Sequence, residues 1–362
     1  MQIQVIYVKR KGMSRWNKKK KKWLDCHAKY GNRKRIRKHG YQAKTQGLNY
    51  AGPSTNRLYS VDNKPVVIQT PPKNFSLLNN PEETMGFFVD FKREIDRNQR
   101  NTAFFVDSKN VESVTVDALI YLIAILQNDK LNNNLKYSYS GNFPENEEAK
   151  RIYTECGFTD YVDSKMKTLP SSNEKMRIIC GNNNDPQSAK ELCIFIMDSL
   201  NKRKKDIYPL QKVLVELMSN VYYHAYEKHS FMAKKWYMYA EHIEDYVRCV
   251  FVDTGFGIAY TARKNIGENL KMIFGMKIDD AKIIQSIFDS DITTSRTATN
   301  ENYRGNGLVS VRENIRKDLF EGLQVLSGRG RCIMPKDSDS NEIITYCYQN
   351  KLYGTLYEFI IR

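Results

Sequence analysis

YVRCVFVDTGFG, residues 246–257, decides how this chain is read. Tyr246 to Val252 is a short run of apolar and β-branched residues, with the length and composition of a buried strand. WYMYAEH (236–242), just before it, reads as its hairpin partner. Asp253 falls where the strand stops, a position where sheet proteins commonly place ligand-binding groups. Gly255 and Gly257 let the backbone turn sharply and approach another group with no Cβ in the way. Asp-x-Gly-x-Gly alone also fits a plain tight turn after a strand, so the segments around it carry the decision.

Upstream, residues 207–228 (IYPLQKVLVELMSNVYYHAYEK) read as an amphipathic helix. Val213, Leu217 and Val221 recur every fourth position, beside a row of Leu210, Leu214 and Met218. Glu216 and Asn220, also four apart, share a different face. A carboxylate there orients or deprotonates a water. An amide oxygen one turn on completes the shell of a Mg²⁺ whose other ligands are waters and phosphate oxygens. The same spacing, taken alone, is the polar stripe of a solvated helix.

Downstream, Arg304-Gly305-Asn306-Gly307-Leu308 is a glycine turn feeding the helical pattern LVSVRENIRKDL. A glycine turn at a helix start offers free N–H groups and the positive end of the helix dipole, which suits phosphate. Before it, Ile292 to Tyr303 is polar and rich in Ser and Thr, the composition of a mobile loop. Gly354-Thr355, near the C-terminus, adds a small hydroxyl in a late strand. Each piece is weak alone; in this order they describe a pocket for a magnesium nucleotide.

The ordered set resembles the GHKL superfamily of ATP-binding domains, which includes gyrase, mismatch-repair ATPases, sensor histidine kinases and anti-sigma-factor kinases. The resemblance covers about residues 170–362. It implies a two-layer α/β sandwich of the GHKL (Bergerat) type with a mixed sheet, binding ATP and Mg²⁺. Under it Glu216 is the water-activating acid and Asn220 the Mg²⁺ ligand. Asp253 reads the adenine amino group, and Gly255 and Gly257 line the base. Gly305, Asn306, Gly307 and Leu308 lie on the phosphate side, and Thr355 supports Asp253. Ile258 to Arg304 corresponds to the ATP lid. Domains of this family often pair when ATP is bound, so an ATP-dependent homodimer is a further expectation.

Charge is placed very unevenly. The chain carries 57 Lys or Arg against 41 Asp or Glu, a net charge of +16. Fifteen of the bases and one acid, Asp25, fall in residues 1–40. The runs are Lys18, Lys19, Lys20, Lys21 and Lys22 between Trp16 and Trp23, then Arg33, Lys34, Arg35, Arg37 and Lys38. Interleaved bases and aromatic rings suit a DNA or RNA backbone with some stacking. A solubilising tail has the same composition. A membrane surface would need an amphipathic apolar face beside the charge, and none is present. Residues 41–57 read as a linker.

No apolar run reaches 18 residues and no secretory leader is recognisable. The seven cysteines are scattered without a C-x-x-C pair, the usage of a reducing compartment. The expected setting is cytoplasmic, with no membrane contact. Cys26, His27 and His39 lack a fourth ligand and the spacing of a zinc site.

Residues 58–168 read as a small α/β domain: a strand at 66–69, a helix at 81–95, a strand at 102–106, an apolar helix at 114–126, a strand at 135–140 and a helix at 147–156 ended by Gly157. With Asp107-Ser108, Gly141-Asn142-Phe143-Pro144 and Glu155-Cys156-Gly157-Phe158 at its junctions, it resembles the STAS domains of anti-sigma-factor antagonists. Such domains carry a phosphoacceptor Ser at the start of the middle helix. The nearest residues here are Thr115 and Ser113, outside the usual Ser-Gly setting, so the domain is read first as a docking or dimerisation module. The organisation is thus 1–57 basic leader and linker, 58–168 STAS-like domain and 169–362 ATP-binding domain.

Three functions fit. One is an ATP-hydrolysing switch coupled through the STAS-like domain and the leader to a protein or nucleic-acid partner. Another is a serine/threonine protein kinase of the anti-sigma type, in which Glu216 takes a proton from a hydroxyl instead of from water. The last is a non-catalytic, nucleotide-gated binding module. Phosphoryl transfer is mostly positioning and charge neutralisation, so one pocket serves water and hydroxyl alike. A sensor histidine kinase does not fit: the five histidines (27, 39, 224, 229, 242) include none on a helical hairpin ahead of the ATP domain. His224 continues the face of Glu216 and Asn220, in reach of phosphate or in a packing role.

Overall fold

The computed structural model describes residues 7–8, 57–59, 65–97, 102–127, 138–163, 173–223, 235–263, 279–288, 320–335 and 343–362. It is an α/β structure in which a mainly parallel sheet and an antiparallel sheet are joined through a shared layer of helices.

The N-terminal unit follows the elements expected from its sequence except at the middle helix, which starts at Val116 and not at Val114, a strand residue. Strands β1 (Tyr7–Val8), β2 (Arg57–Tyr59), β3 (Pro65–Gln69), β4 (Asn74–Phe75), β5 (Ala103–Val106), β6 (Ser113–Val114), β7 (Ser138–Gly141) and β8 (Val162–Asp163) alternate with three helices. Those are α1 (Pro81–Arg97), α2 (Val116–Leu126) and α3 (Glu147–Glu155). Pro81 with Glu82 and Glu83 starts α1, as the first-turn preferences require. Asn146 caps α3, accepting from Ala149 N at 3.0 Å, and Gly157 takes φ +81 just beyond its end. The main sheet has the order β2-β3-β5-β7, with β3, β5 and β7 parallel. Three residues of the expected leader and linker fall in strands: Tyr7 and Val8 pair with Asp163 and Val162, and Arg57 belongs to β2.

The C-terminal sheet contains β9 (Ile179–Gly181), β10 (Trp236–Ile243), β11 (Tyr246–Asp253), β12 (Gly322–Pro335) and β13 (Ile344–Ile361), in the order β12-β13-β11-β10-β9. Every pairing is antiparallel, where a mixed sheet was expected. The connections explain the difference. β10 and β11 are joined by a two-residue turn in which Glu244 takes φ +52. Between β9 and β10 run two helices, α4 (Pro186–Leu200) and α5 (Lys204–Tyr223). An even number of helices brings the chain back to the end of the sheet it left, so the next strand runs opposite to the last.

Side chains alternate across this sheet, and both faces are buried. On the front, Met238, Cys249, Phe251, Val325 and Phe359 pack against Leu210, Val213, Leu214, Leu217 and Val221 of α5, and against Ile283, Ile284 and Ile287 of α6 (Asp280–Phe288). On the back, Tyr237, Tyr239, Val250, Val252, Leu326, Leu352 and Leu356 join the core of the N-terminal unit. The expected two-layer sandwich therefore has a third layer, formed by α1 and α2. All eleven residues of α2 are buried, as an all-round apolar helix requires. Phe88 of α1 meets Tyr121 of α2 at 4.6 Å between ring centroids, and Phe91 meets Phe104 of β5 at 5.9 Å. Each such side chain contributes about 1.5–3 kcal/mol by leaving water.

Polar groups cross the same interface. Glu82 accepts from the backbone N–H of Gln349 and Asn350, both at 3.1 Å, and Arg331 donates to Leu78 O at 2.6 Å. Beneath α2, Arg248 pairs with Glu241 and lies 3.9 Å from Glu358. Glu358 also accepts from Gln324 at 2.8 Å. Burial pushes the Glu358 carboxyl up to about 7 and also raises Asp117 at the start of α2.

Candidate functional site

The strand register gathers one row of residues from all five strands. Asp253 pairs with Thr355 and with Trp236, Thr355 with Ser327, and Trp236 with Gly181. Asp253 has the parity of Cys249 and Phe251, Thr355 that of Tyr357 and Phe359, and Ser327 that of Leu323 and Val325. Alternation thus puts the carboxylate and both hydroxyls on the front face, the one that carries α5.

Helix α5 reaches the same end of the sheet. β9 stops at Gly181 in the row, α4 leaves from that end, α5 returns to it, and β10 starts there with Trp236. Two hydrogen bonds tie the junction. Asn184 donates to Ser219 Oγ at 2.9 Å, and the Trp236 indole N–H donates to Asn183 O at 2.7 Å. A Cβ on Gly181 would lie 2.2 Å from the Trp236 ring, so glycine is what lets the indole cross the sheet edge. On this returning end α5 carries Glu216, exposed, and Asn220, half-buried one turn further on. Sequence reasoning paired these two with Asp253, and the topology brings all three to one end of one face.

Asp253 is 6% exposed. Burial raises its carboxyl to about 6, partly offset by the Gly255 N–H, which donates to Oδ1 at 2.7 Å, and by hydrogen bonds from Thr355. Gly255 and Thr355 thus hold a buried carboxylate in one orientation at the end of the strand. The glycines around it are sterically required. Gly257 has φ +86, and a Cβ there would meet Ser327 Oγ at 2.5 Å. Gly354 has φ +94, and a Cβ there would lie 1.9 Å from Asp253 O. Gly354 sits in a bulge: the register of β12 against β13 passes from Thr355 to Leu352, leaving Tyr353 and Gly354 without partners in β12. Beside the turn, Phe256 and Tyr260 stack at 4.9 Å.

Ser327, which the sequence reading passed over, is the hub of this corner. Fully buried, it accepts from Ile258 N at 3.0 Å, donates to Gly354 O at 2.8 Å and lies 3.3 Å from Thr355 Oγ1. Its one sequence signal is the setting Ser327-Gly328-Arg329-Gly330, where glycines interrupt a strand. Gly328 and Gly330 leave room for α6, whose Asp280 accepts from Arg329 N at 2.8 Å.

That helix lies within the stretch assigned to the lid. Ile258 to Arg304 was expected to form a lid, yet within it α6 buries Ile283, Ile284, Ile287 and Phe288 against the sheet. The remainder of the stretch beyond the helical residues 258–263 lies outside the described residues, as do Gly305, Asn306, Gly307 and Leu308, His224 and the basic clusters at 18–22 and 33–38.

Among the described residues no group of three or more His, Cys, Asp or Glu side chains is arranged to hold a metal. Asn220, to which the sequence assigned Mg²⁺, is half-buried near the end of α5. Thr115 starts α2 on the far side of the sheet, its Oγ1 donating to Asp117 Oδ1 at 2.8 Å. Among the described residues no helix is long and apolar enough to cross a membrane. Neither known protein families nor curated proteins give any match to the chain.

Proposed function

We propose that this protein is a Mg²⁺-dependent, ATP-hydrolysing switch whose nucleotide domain is of the GHKL type and whose N-terminal unit is STAS-like. The row carries this reading: a buried carboxylate, supported by an amide and a hydroxyl, at the end of the sheet to which α5 delivers Asn220 and Glu216. Ionised Asp253 accepts a hydrogen bond from the adenine amino group. Gly255 and Gly257 line the base with their backbone, Gly257 also making room for Ser327, and Thr355 and Ser327 keep the carboxylate oriented. Asn220 offers its amide oxygen to the metal, which neutralises phosphate charge when bound. Glu216, exposed at the mouth, orients a water for attack at the terminal phosphate and takes its proton.

Water is the preferred acceptor over a hydroxyl of the same chain. Thr115 belongs to the layer behind the sheet, while Asp253 and Glu216 belong to the front, so the sheet separates donor from acceptor. The STAS-like unit is then a docking element and the basic leader a contact for nucleic acid, both reading nucleotide state in the cytoplasm. Turnover of γ-labelled ATP by the wild type and Glu216→Ala tests the reading. Phosphate release that depends on Glu216 supports it. Label retained on Ser or Thr would replace the ATPase with a kinase, and tight binding with neither would leave a nucleotide-gated scaffold.

A further inference from the structure

Tyr121 lies in the middle of α2, fully buried, in the layer behind the antiparallel sheet. Its hydroxyl donates to Tyr353 O at 2.7 Å and accepts from Tyr353 N at 2.9 Å. One side chain of the N-terminal unit thus makes both hydrogen bonds of a bulge residue that has no partner in β12. A hydroxyl is suited to this, being donor and acceptor at once. The next residue is Gly354, whose carbonyl takes the Ser327 hydroxyl at 2.8 Å and whose Cα packs on the Asp253 backbone. Thr355 follows, paired with Asp253.

We infer that Tyr121 is a positioning residue for adenine recognition, so that the N-terminal unit is a structural part of the nucleotide pocket and not a separate module beside it. This rests on the proposed ATP site. The bulge is where β13 leaves the regular ladder, and a ladder without its cross-strand bonds is free to adopt other local conformations unless something else satisfies the backbone. Tyr121 does so from behind, and the front-face geometry of Thr355 and Asp253 follows from the bulge it holds. By thermodynamic reciprocity, a partner that reseats α2 changes nucleotide affinity, and nucleotide changes the affinity for that partner by the same factor.

Tyr121→Phe removes one oxygen and keeps the ring against Phe88. The full-length protein is titrated with Mg-ATP and with Mg-ITP, which has a carbonyl where adenine has its amino group. Ile120→Val, on the same buried helix, is the control for lost stability alone. Expected for Tyr121→Phe is about five- to tenfold weaker ATP binding, the size of one or two lost hydrogen bonds. The ATP:ITP preference should narrow, and amide hydrogen exchange at residues 353–355 should be faster without nucleotide. Ile120→Val should change none of the three. If the wild type prefers ATP and Tyr121→Phe matches it in affinity, preference and exchange, the positioning role is wrong while the ATP site stands. If the wild type binds neither nucleotide, the site itself is wrong and the inference falls with it.

Discussion

Replacing Asp253 with Asn should make the protein more stable while removing its preference for adenine. Asp253 is buried and its carboxyl is raised from 3.8 to about 6. That displacement corresponds to about 3 kcal/mol between the protonated and ionised forms. A raised acid favours folding in its protonated form, so this contribution is complete below pH 3.8 and is lost as pH rises through 6. At pH 8 the ionised group therefore costs about 3 kcal/mol, and at pH 5 about half as much. An amide at this position keeps an oxygen for the Gly255 N–H and carries no charge, while its NH2 cannot accept from Thr355 as the carboxylate does, which takes back part of the gain. Urea unfolding of both proteins should give the Asp253→Asn variant an advantage of up to about 3 kcal/mol at pH 8, shrinking by roughly half at pH 5. ATP binding by the wild type should weaken as pH falls through about 6, because only the ionised form accepts from an amino group. An advantage independent of pH, or a loss of stability at both pH values, would refute the account of a carboxylate kept charged at a stability cost for the sake of a ligand.

Other substitutions test the rest of the architecture. Gly354→Ala, with φ +94 and a Cβ position 1.9 Å from Asp253 O, should cost at least about 2 kcal/mol in thermal or urea unfolding and abolish ATP binding. Arg248→Met should cost about 3–5 kcal/mol, because Glu241 and Glu358 lose their shared buried partner. The loss should be larger at pH 8 than at pH 6, since Glu358, raised to about 7, takes up a proton in between. Deleting residues 1–40 removes fifteen bases and should eliminate salt-sensitive binding to single-stranded DNA or RNA while leaving ATP affinity unchanged, as gel shift and calorimetry would report.

Much of the local structure was legible because the signals were strong and short-range. Tyr246–Asp253 and its hairpin partner, the start of α1 at Pro81 and the end of α3 at Gly157 follow from β-branched runs, first-turn acids and a left-handed glycine. Alternation put Asp253 and Thr355 on one face once their strands were known. What the sequence did not show was how the units meet. VDALIYLIAIL (116–126) was legible as an apolar helix and β10 and β11 as buried strands, but the sheet was expected in a two-layer sandwich although continuous apolar strands also suit burial on both faces. Neither pattern names its partner, and the two turned out to cover each other. Ser327 and Tyr121 were missed for a related reason: a lone serine or tyrosine acquires its role only through residues 27 or more positions away. The antiparallel pairing likewise depends on counting helices between strands, which periodicity alone does not fix.

The central claim is that Asp253 is the base-reading acceptor of an ATP site. Equilibrium titration of the full-length protein with Mg-ATP and Mg-ITP, beside Asp253→Asn, tests it most directly. The account predicts that the wild type binds ATP at least about a hundredfold more tightly than ITP, since the inosine carbonyl faces a carboxylate and leaves it without a donor. In Asp253→Asn that preference should collapse. Equal affinity for the two nucleotides, or an unchanged preference in the mutant, would contradict it.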